Sequence, residues 1–191
     1  MILTINGPYF WTKEPSIYFS LEAGKPGIYL WSILYDSKHL IYYVGETGRS
    51  FSERFSEHFT SYIQGAYDIY DPKEFIKCNK VKIWSNIKYW KADASQRYSI
   101  FQSHRSEILP SLKELINLFY LWIIPLDVDD IRMRRRIEGS LARYLLSQEG
   151  IVGKMQDSNV KYEFRGEKEP VEYVQFKNTE LFHGFPEKLE Y

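Results

Sequence analysis

The sequence predicts an α/β (α+β) protein: a small three-stranded, mainly antiparallel β-sheet flanked by helices, with an insertion between the first core helix and the third strand. Three observations point there. Residues 27–35 and 40–45 are rich in aromatic and β-branched types on either side of the polar turn DSKH, the pattern of a β-hairpin. After GETGRS, Phe51, Phe55, Phe59, Tyr62 and Ile63 recur at helical spacing. LFYLWIIPL, residues 118–126, is an unbroken apolar run of strand length, as expected of a central strand buried on both faces.

Each element has its punctuation. Pro26 precedes the first strand, the glycines of GETGRS break the second, and Ser50 or Ser52 can cap the helix that follows. On that helix Arg54 and His58 are i, i+4 neighbours at the edge of the apolar arc. Beyond the apolar run, Asp127 to Asp130 supply an acidic helix start. Met133, Ile137, Leu141, Tyr144 and Leu145 then form one face to about Gly150, with Glu138 at its border. The intervening segment is less regular: YDIYDP has loop character, KVKIW and NIKYW suit short strands, and SEILPSLKELINLF is a helical pattern interrupted by Pro110. A single domain is expected, with core 27–64 and 118–160, insertion 65–117 and C-terminal extension 161–191.

Composition narrows the function classes. The apolar and charged fractions, 44% and 26%, are those of an ordinary globular protein. The 16 Tyr and 5 Trp exceed what a core usually needs, so some aromatic surface is expected to face a ligand. The formal net charge is zero, so any nucleic-acid binding must come from local patches. There are two. Lys73 to Arg97 holds six Lys and one Arg against Glu74 and Asp93, and Arg132 to Arg143 holds five Arg against Glu138. Cys78 is the sole cysteine, which excludes an internal disulfide and a cysteine-rich zinc site and agrees with a reducing cytoplasm. MILTINGPYF lacks the basic start and apolar stretch of an export signal, and the longest apolar run is less than half a membrane span. A cytoplasmic location and no membrane partner are expected.

Several chemistries drop out by spacing. VGETGRS has neither the spacing nor the lysine of a phosphate loop, and His39, His58, His104 and His183 are too scattered for a metal cluster. What remains is an ordered set: Gly27-Ile28-Tyr29 and Tyr43-Val44-Gly45 on the two hairpin strands, with thirteen residues between the tyrosines. ETGR with Thr47 follows, then Arg54 and His58 on one helix and Glu138 on another. Taken singly, each has a plainer explanation: a packed tyrosine, a solvated arginine, or a glutamate paired with Arg134 or Arg135. Their force lies in joint occurrence on strand, strand, helix and helix.

This arrangement resembles the GIY-YIG nuclease family, with Val44 in place of the usual Ile, over residues 27–59 and 118–150. The resemblance implies a Mg²⁺-dependent DNA endonuclease, with Mn²⁺ as a substitute. It assigns catalytic roles to Tyr29, Tyr43, Arg54, His58 and Glu138, with Glu138 as the metal ligand. The family's last element, an Asn beyond the Glu helix, falls on Asn159, with Asn178 the other candidate.

The residue types suit that chemistry on physical grounds. Phosphodiester hydrolysis needs a positioned water, a proton acceptor, and positive charge where the phosphoryl oxygens gain negative charge. Arg54 can clamp a phosphate with two hydrogen bonds. One carboxylate with phosphate oxygens and waters suits Mg²⁺. A tyrosine of pKa about 10 is a poor base, so Tyr29 must be acidified by the metal and Arg54 or act in concert with His58. Tyr43 would orient the water or the phosphate.

DNA contacts are expected from Lys80, Lys82, Lys88 and Lys91, with Trp84, Tyr89 and Trp90 interleaved, and from Arg135 and Arg136. A lysine-rich solvated strand edge is the competing reading of the first patch. No separate DNA-binding module is recognisable, which favours a stand-alone restriction-like or mobile-element or phage enzyme. The alternatives are a structure-selective repair nuclease whose acidic, aromatic tail docks a protein partner, and a non-catalytic nucleic-acid-binding module. Homodimerisation is left open.

Overall fold

The computed structural model describes residues 1–86, 92–126, 128, 130–157 and 163–191. Their strands are β1 (Ile2–Thr4), β2 (Asn6–Tyr9), β3 (Gly27–Tyr35), β4 (Lys38–Thr47), β5 (Ile69–Tyr70), β6 (Lys82–Trp84), β7 (Tyr120–Pro125), β8 (Tyr173–Lys177) and β9 (Lys188–Glu190). The helices are α1 (Phe51–Ile63), α2 (Pro72–Phe75), α3 (Ala94–Leu118), α4 (Ile131–Leu146) and α5 (Ile151–Met155). The architecture is mixed α+β.

The predicted hairpin is β3 with β4, closed at Asp36 and Ser37, whose φ values of 50° and 67° are the paired left-handed conformation that matches strand twist in a two-residue turn. β7 pairs antiparallel with the other edge of β3, and β2 pairs antiparallel with β7. The central sheet therefore has four strands in the order β2-β7-β3-β4, not three. The extra strand comes from the N-terminal NGPY, where Pro8 is tolerated because β2 is an edge. Separate small sheets join β1, β8 and β9, and β5 with β6.

Burial of β7 follows its composition. Leu121 and Ile123 enter one core and Trp122 and Ile124 the other, all essentially inaccessible. On the first face the sheet is covered by α1, through Phe51, Phe55 and Tyr62, and by α3, through Phe101, Leu112 and Leu115. On the second it is covered by Ile137, Leu141 and Leu145 of α4 and by Val174, Phe176, Phe182, Phe185 and Leu189 of the tail. The tail thus completes a core: Phe176, Phe182, Phe185 and Tyr191 are buried there, while Phe164 and Tyr173 stay exposed.

Helix ends follow their caps. Ser50 and Glu53 form a reciprocal capping box at the start of α1, and the Asp130 carboxylate accepts the backbone N–H groups of Arg132 and Met133 at the start of α4. α3 runs through Pro110 without ending there. Leu109 and Pro110 face solvent while Phe101 and Leu112 anchor the helix on either side, so tertiary contacts outweigh the missing N–H. No helix among the described residues is long and apolar enough to cross a membrane.

Candidate active site

The register of the hairpin builds the site. Trp31 pairs with Tyr43 and Ser32 with Ile41, which leaves Tyr42 as the extra residue of a β-bulge. The bulge sends both Tyr42 and Tyr43 toward α1, where an unbroken alternation would send only one. Tyr29 lies opposite Gly45, and its ring and hydroxyl occupy the space that a Cβ at Gly45 would fill. Gly27 has φ of 153° and lies against the Ile124 carbonyl. Both motif glycines therefore permit a close approach no other residue would allow.

The Tyr29 hydroxyl is the hub. It accepts from Arg54 Nε at 3.1 Å and lies 2.7 Å from His58 Nε2. The hydroxyl hydrogen has two acceptors within reach, His58 Nε2 and the Tyr43 oxygen; we assign it to the short His58 contact, which makes Nε2 the acceptor and leaves the ring proton on Nδ1. Nδ1 then donates to the Tyr67 hydroxyl at 2.9 Å. This tautomer needs a neutral ring. Burial, helped by the Arg54 charge, pushes the His58 pKa down to about 3. His58 is 2% exposed, fully inside the helix face that its spacing placed only at the border. Burial likewise raises Tyr29 well above an ordinary phenol, so it holds its proton at neutral pH.

Glu138 joins this cluster from α4. Burial and the neighbouring Glu46 carboxylate raise its pKa to about 7, against the opposing effects of the Glu46 backbone N–H, Arg135 and Arg54. Burial and then Glu138 raise Tyr43 to about 12, which places this carboxylate within electrostatic reach of Tyr43 as well. Glu46 is held by Arg134 Nε at 3.5 Å and Arg135 Nε at 3.6 Å. Arg134 is itself buried and donates to the Val128 carbonyl. Arg54 also pairs with Glu57 at 3.1 Å. Tyr29, Tyr43, Arg54 and His58 are thus in direct contact, brought together by β3, β4 and α1, and Glu138 of α4 acts on Tyr43 and Arg54 through its charge.

The residue the sequence did not single out is Tyr67, which stands in the loop after α1, where no periodicity marks it. Glu46, at the end of the second motif's strand, is with Asp127 the sequence's alternative to Glu138 as metal ligand, and it neighbours Glu138.

The expected DNA-contacting residues separate into several groups. Lys80 turns inward, donating to the Gln156 carbonyl at 2.6 Å. Arg136 is buried, donating to Tyr191 O at 2.6 Å with its guanidinium over the Tyr191 ring. Neither presents its charge outward, because each satisfies a backbone oxygen that the fold brings close. Trp84 is likewise buried, with its indole N–H on the Gly65 carbonyl, and offers no stacking face. Lys82 is paired with Asp68 at 2.7 Å. Arg135 remains largely exposed beside Glu46 and Glu163. Lys88, Lys91, Tyr89, Trp90, Asp127 and Asn159 lie outside the described residues. Asn178, the other candidate for the last family element, donates to the Ile5 carbonyl between β8 and the start of the chain, away from the cluster.

Among the described residues no group of three or more His, Cys, Asp and Glu forms a ready-made metal cage. The raised Glu138, with Glu46 beside it, is the acidic group at the site. That donor set suits an ion that takes one or two carboxylates and keeps most of its waters, as Mg²⁺ does. No protein-family model, curated protein or solved structure matches this chain.

Proposed function

We propose that this chain is a Mg²⁺-dependent DNA endonuclease of the GIY-YIG kind, hydrolysing phosphodiester bonds as a stand-alone, restriction-like or mobile-element type enzyme. The observation that carries the proposal is the Tyr29 hydroxyl held between Arg54 Nε and a neutral His58, with Glu138 alongside.

The proton path follows from the tautomer. A water hydrogen-bonded to the Tyr29 oxygen loses a proton to it as the Tyr29 proton passes to His58 Nε2. The water oxygen bonds to phosphorus as the bond to the leaving oxygen breaks; that oxygen departs with the bonding electron pair and takes a proton from solvent, and the imidazolium returns its proton to solvent afterwards. Tyr29 never has to exist as a free phenolate; the terminal acceptor is His58, whose pKa burial and the Arg54 charge hold at about 3, so the substrate's negative phosphate against Arg54 has to raise it for the relay to run. The imidazolium so formed keeps its Nδ1–H on Tyr67. Arg54 lies at the same point, partly exposed, where its charge can meet the phosphoryl oxygens. Glu138, with Glu46 as its neighbour, would hold Mg²⁺, or Mn²⁺ in its place, and the ion would supply further positive charge at the phosphate. In this reading the segment 65–117, between α1 and β7, is an insertion that adds Tyr67 to the family's set.

Incubation with supercoiled plasmid should give nicked or linear DNA with Mg²⁺ or Mn²⁺ and none with EDTA. Glu138→Gln should abolish cleavage while DNA affinity is kept or raised, because a carboxylate near phosphate also repels it. Metal-independent cleavage, or a fully active Glu138→Gln, would remove the basis of the proposal.

A further inference from the structure

A pocket of about 420 Å³ opens directly beside the cluster, sharing Tyr43 and His58 with it and lined further by Trp31, Tyr67, Asp68 and Asn86. The larger depression of about 640 Å³, between α4 and β9, has Arg143 and Lys188 on its walls but none of the cluster residues. The smaller one is the more specific in its chemistry. Its walls are aromatic: Trp31 meets the His58 ring edge-on at 4.8 Å between centroids, and Tyr62 and Tyr67 pack at 5.2 Å. Trp31, His58 and Tyr62 are buried behind the wall, and the half-buried rings of Tyr43 and Tyr67 are the faces left for a planar aromatic ligand.

Besides tyrosine hydroxyls, the pocket is lined by the acceptors of Asp68, Asn86 and Asp157. Asp68 takes the Asn86 backbone N–H at 3.0 Å and Lys82 at 2.7 Å, which fixes its carboxylate and leaves lone pairs unused. Asn86 Oδ1 is buried without a hydrogen-bond partner among the described residues. An aromatic slot with an orphaned acceptor and a fixed carboxylate selects a planar ligand that donates. Adenine, cytosine and guanine carry an exocyclic amino group whose two hydrogens on one nitrogen can meet two acceptors at once, whereas thymine offers only the single N3–H between two carbonyls.

We propose that this pocket binds an unstacked, amino-bearing nucleobase of the DNA strand whose phosphate Arg54 contacts, so that base selection occurs next to the reacting phosphate. The proposal rests on the nuclease reading for its substrate. The shared residues Tyr43 and His58 make base and phosphate sites contiguous. Extrusion of one base would also position the adjoining phosphate at Arg54, and it would favour sites where the base is weakly stacked.

Titration of the whole chain with mononucleotides, followed by tryptophan fluorescence because Trp31 lines the pocket, tests this without turnover. The amino-bearing dAMP and dCMP should bind at least about tenfold more tightly than TMP, the discrimination expected when a buried polar group is left unpaired. Tyr67→Ala and Asn86→Ala should each weaken dAMP and dCMP binding by about tenfold, whereas Gly24→Ala, remote from the pocket, should bind as the wild type does. Arg54→Ala should weaken the nucleotides but not the nucleosides deoxyadenosine and deoxycytidine. AMP and CMP, run in parallel, should bind no more tightly than their deoxy forms; tighter binding would overturn the assignment to DNA. Equal affinity for TMP, or variants at 67 and 86 that bind normally, would show a water-filled structural pocket only. If the plasmid is still cut in that case, the nuclease reading survives without the pocket; if nucleotides bind but no metal-dependent cutting occurs, the reverse holds.

Discussion

The two faces of the central sheet are built from the same strands and do different things. On one face β3 and β4 present Ile28, Leu30, Ile41 and Val44 to α4 and the tail, and the packing is mainly apolar and closed, with Ser32, His39 and the Trp122 indole N–H satisfying one another at its edge. On the other, Tyr29, Trp31, Tyr42 and Tyr43 meet α1, and the packing includes hydroxyl, imidazole and guanidinium groups that satisfy one another. The difference shows how strand alternation lets one hairpin serve as core and as scaffold at once. The closed face makes the sheet rigid, and the rigid sheet holds the polar groups within hydrogen-bond distance.

The sharpest way to break this comparison is to mutate one face and read both properties. Arg54→Ala and Tyr29→Phe should each lower plasmid cleavage by at least about a hundredfold, the scale of losing a transition-state charge or a proton acceptor. Their stability cost should be small, about 1 kcal/mol for the lost Tyr29 hydrogen bonds. Ile137→Ala, on the closed face, should do the opposite. Emptying a fully buried position should cost about 2–5 kcal/mol in urea unfolding, with the folded fraction cutting DNA normally. If Arg54→Ala unfolds the chain and Tyr29→Phe cuts normally, the polar face is structural too.

Gly45 joins the two faces, since its lack of a side chain makes room for Tyr29. Gly45→Ala should force the Tyr29 ring aside and cost about 1–3 kcal/mol by overpacking, with most of the cleavage lost as the hydroxyl leaves His58. Gly24→Ala is the control, because nothing lies within 4 Å of the new methyl. Comparable losses from both would mean that the close approach at Gly45 is not what the site depends on.

Two buried neutral histidines sharpen the contrast further. His58 is on the polar face; His39, packed between Tyr120 and Trp122, is on the other, with its pKa lowered by burial to about 4. Both folded values lie below the unfolded value of 6.5, so the unfolded chain takes up protons that the folded chain refuses. Stability should be full above pH about 6.5 and fall as pH drops toward 4 and then 3. His39→Gln and His58→Gln should each blunt that fall in acid melting experiments, but only His58→Gln should abolish cleavage. Loss of cleavage in His39→Gln would join the two faces functionally.

Much of this was legible before any coordinates. The hairpin, α1, β7 and α4 follow from alternation, capping residues and an unbroken apolar run; spacing alone makes Arg54 and His58 neighbours on α1, and it was the family resemblance that singled them and Glu138 out. β2 was not legible, because NGPY contains a glycine and a proline and earns its place only by pairing with β7. The tail was read as an extension because Phe176, Phe182, Phe185 and Leu189 are scattered among charged residues, and only the packing on α4 shows them as core. Lys80 and Arg136 were misplaced for a related reason: counting charges in a segment does not say which of them turn inward to a carbonyl. Tyr67 needed the third dimension, since only the fold brings it to His58.

The smallest expected effect bears on what the polar face costs the fold. The folded pKa of Glu138, about 7, lies above its ordinary value of 4.5, so the folded chain holds a proton that the unfolded chain releases between those values. The associated stability is present below pH about 4.5 and lost as pH rises through 7, leaving the ionised folded chain destabilised by at most about 3 kcal/mol, at 1.36 kcal/mol per pKa unit. Glu138→Gln should therefore melt a few degrees above the wild type at pH 8 and nearly with it at pH 4. If Glu138 is the ligand for Mg²⁺, millimolar Mg²⁺ at pH 8 should raise the wild-type melting temperature and leave Glu138→Gln unmoved, since an ion that binds only the folded state stabilises it by mass action. Cleavage by the wild type should rise across the same interval, because the carboxylate must be ionised to hold the cation. A Glu138→Gln variant that melts below the wild type at pH 8 would mean that the carboxylate stabilises the fold, as Ile137 and Leu141 beside it on α4 do.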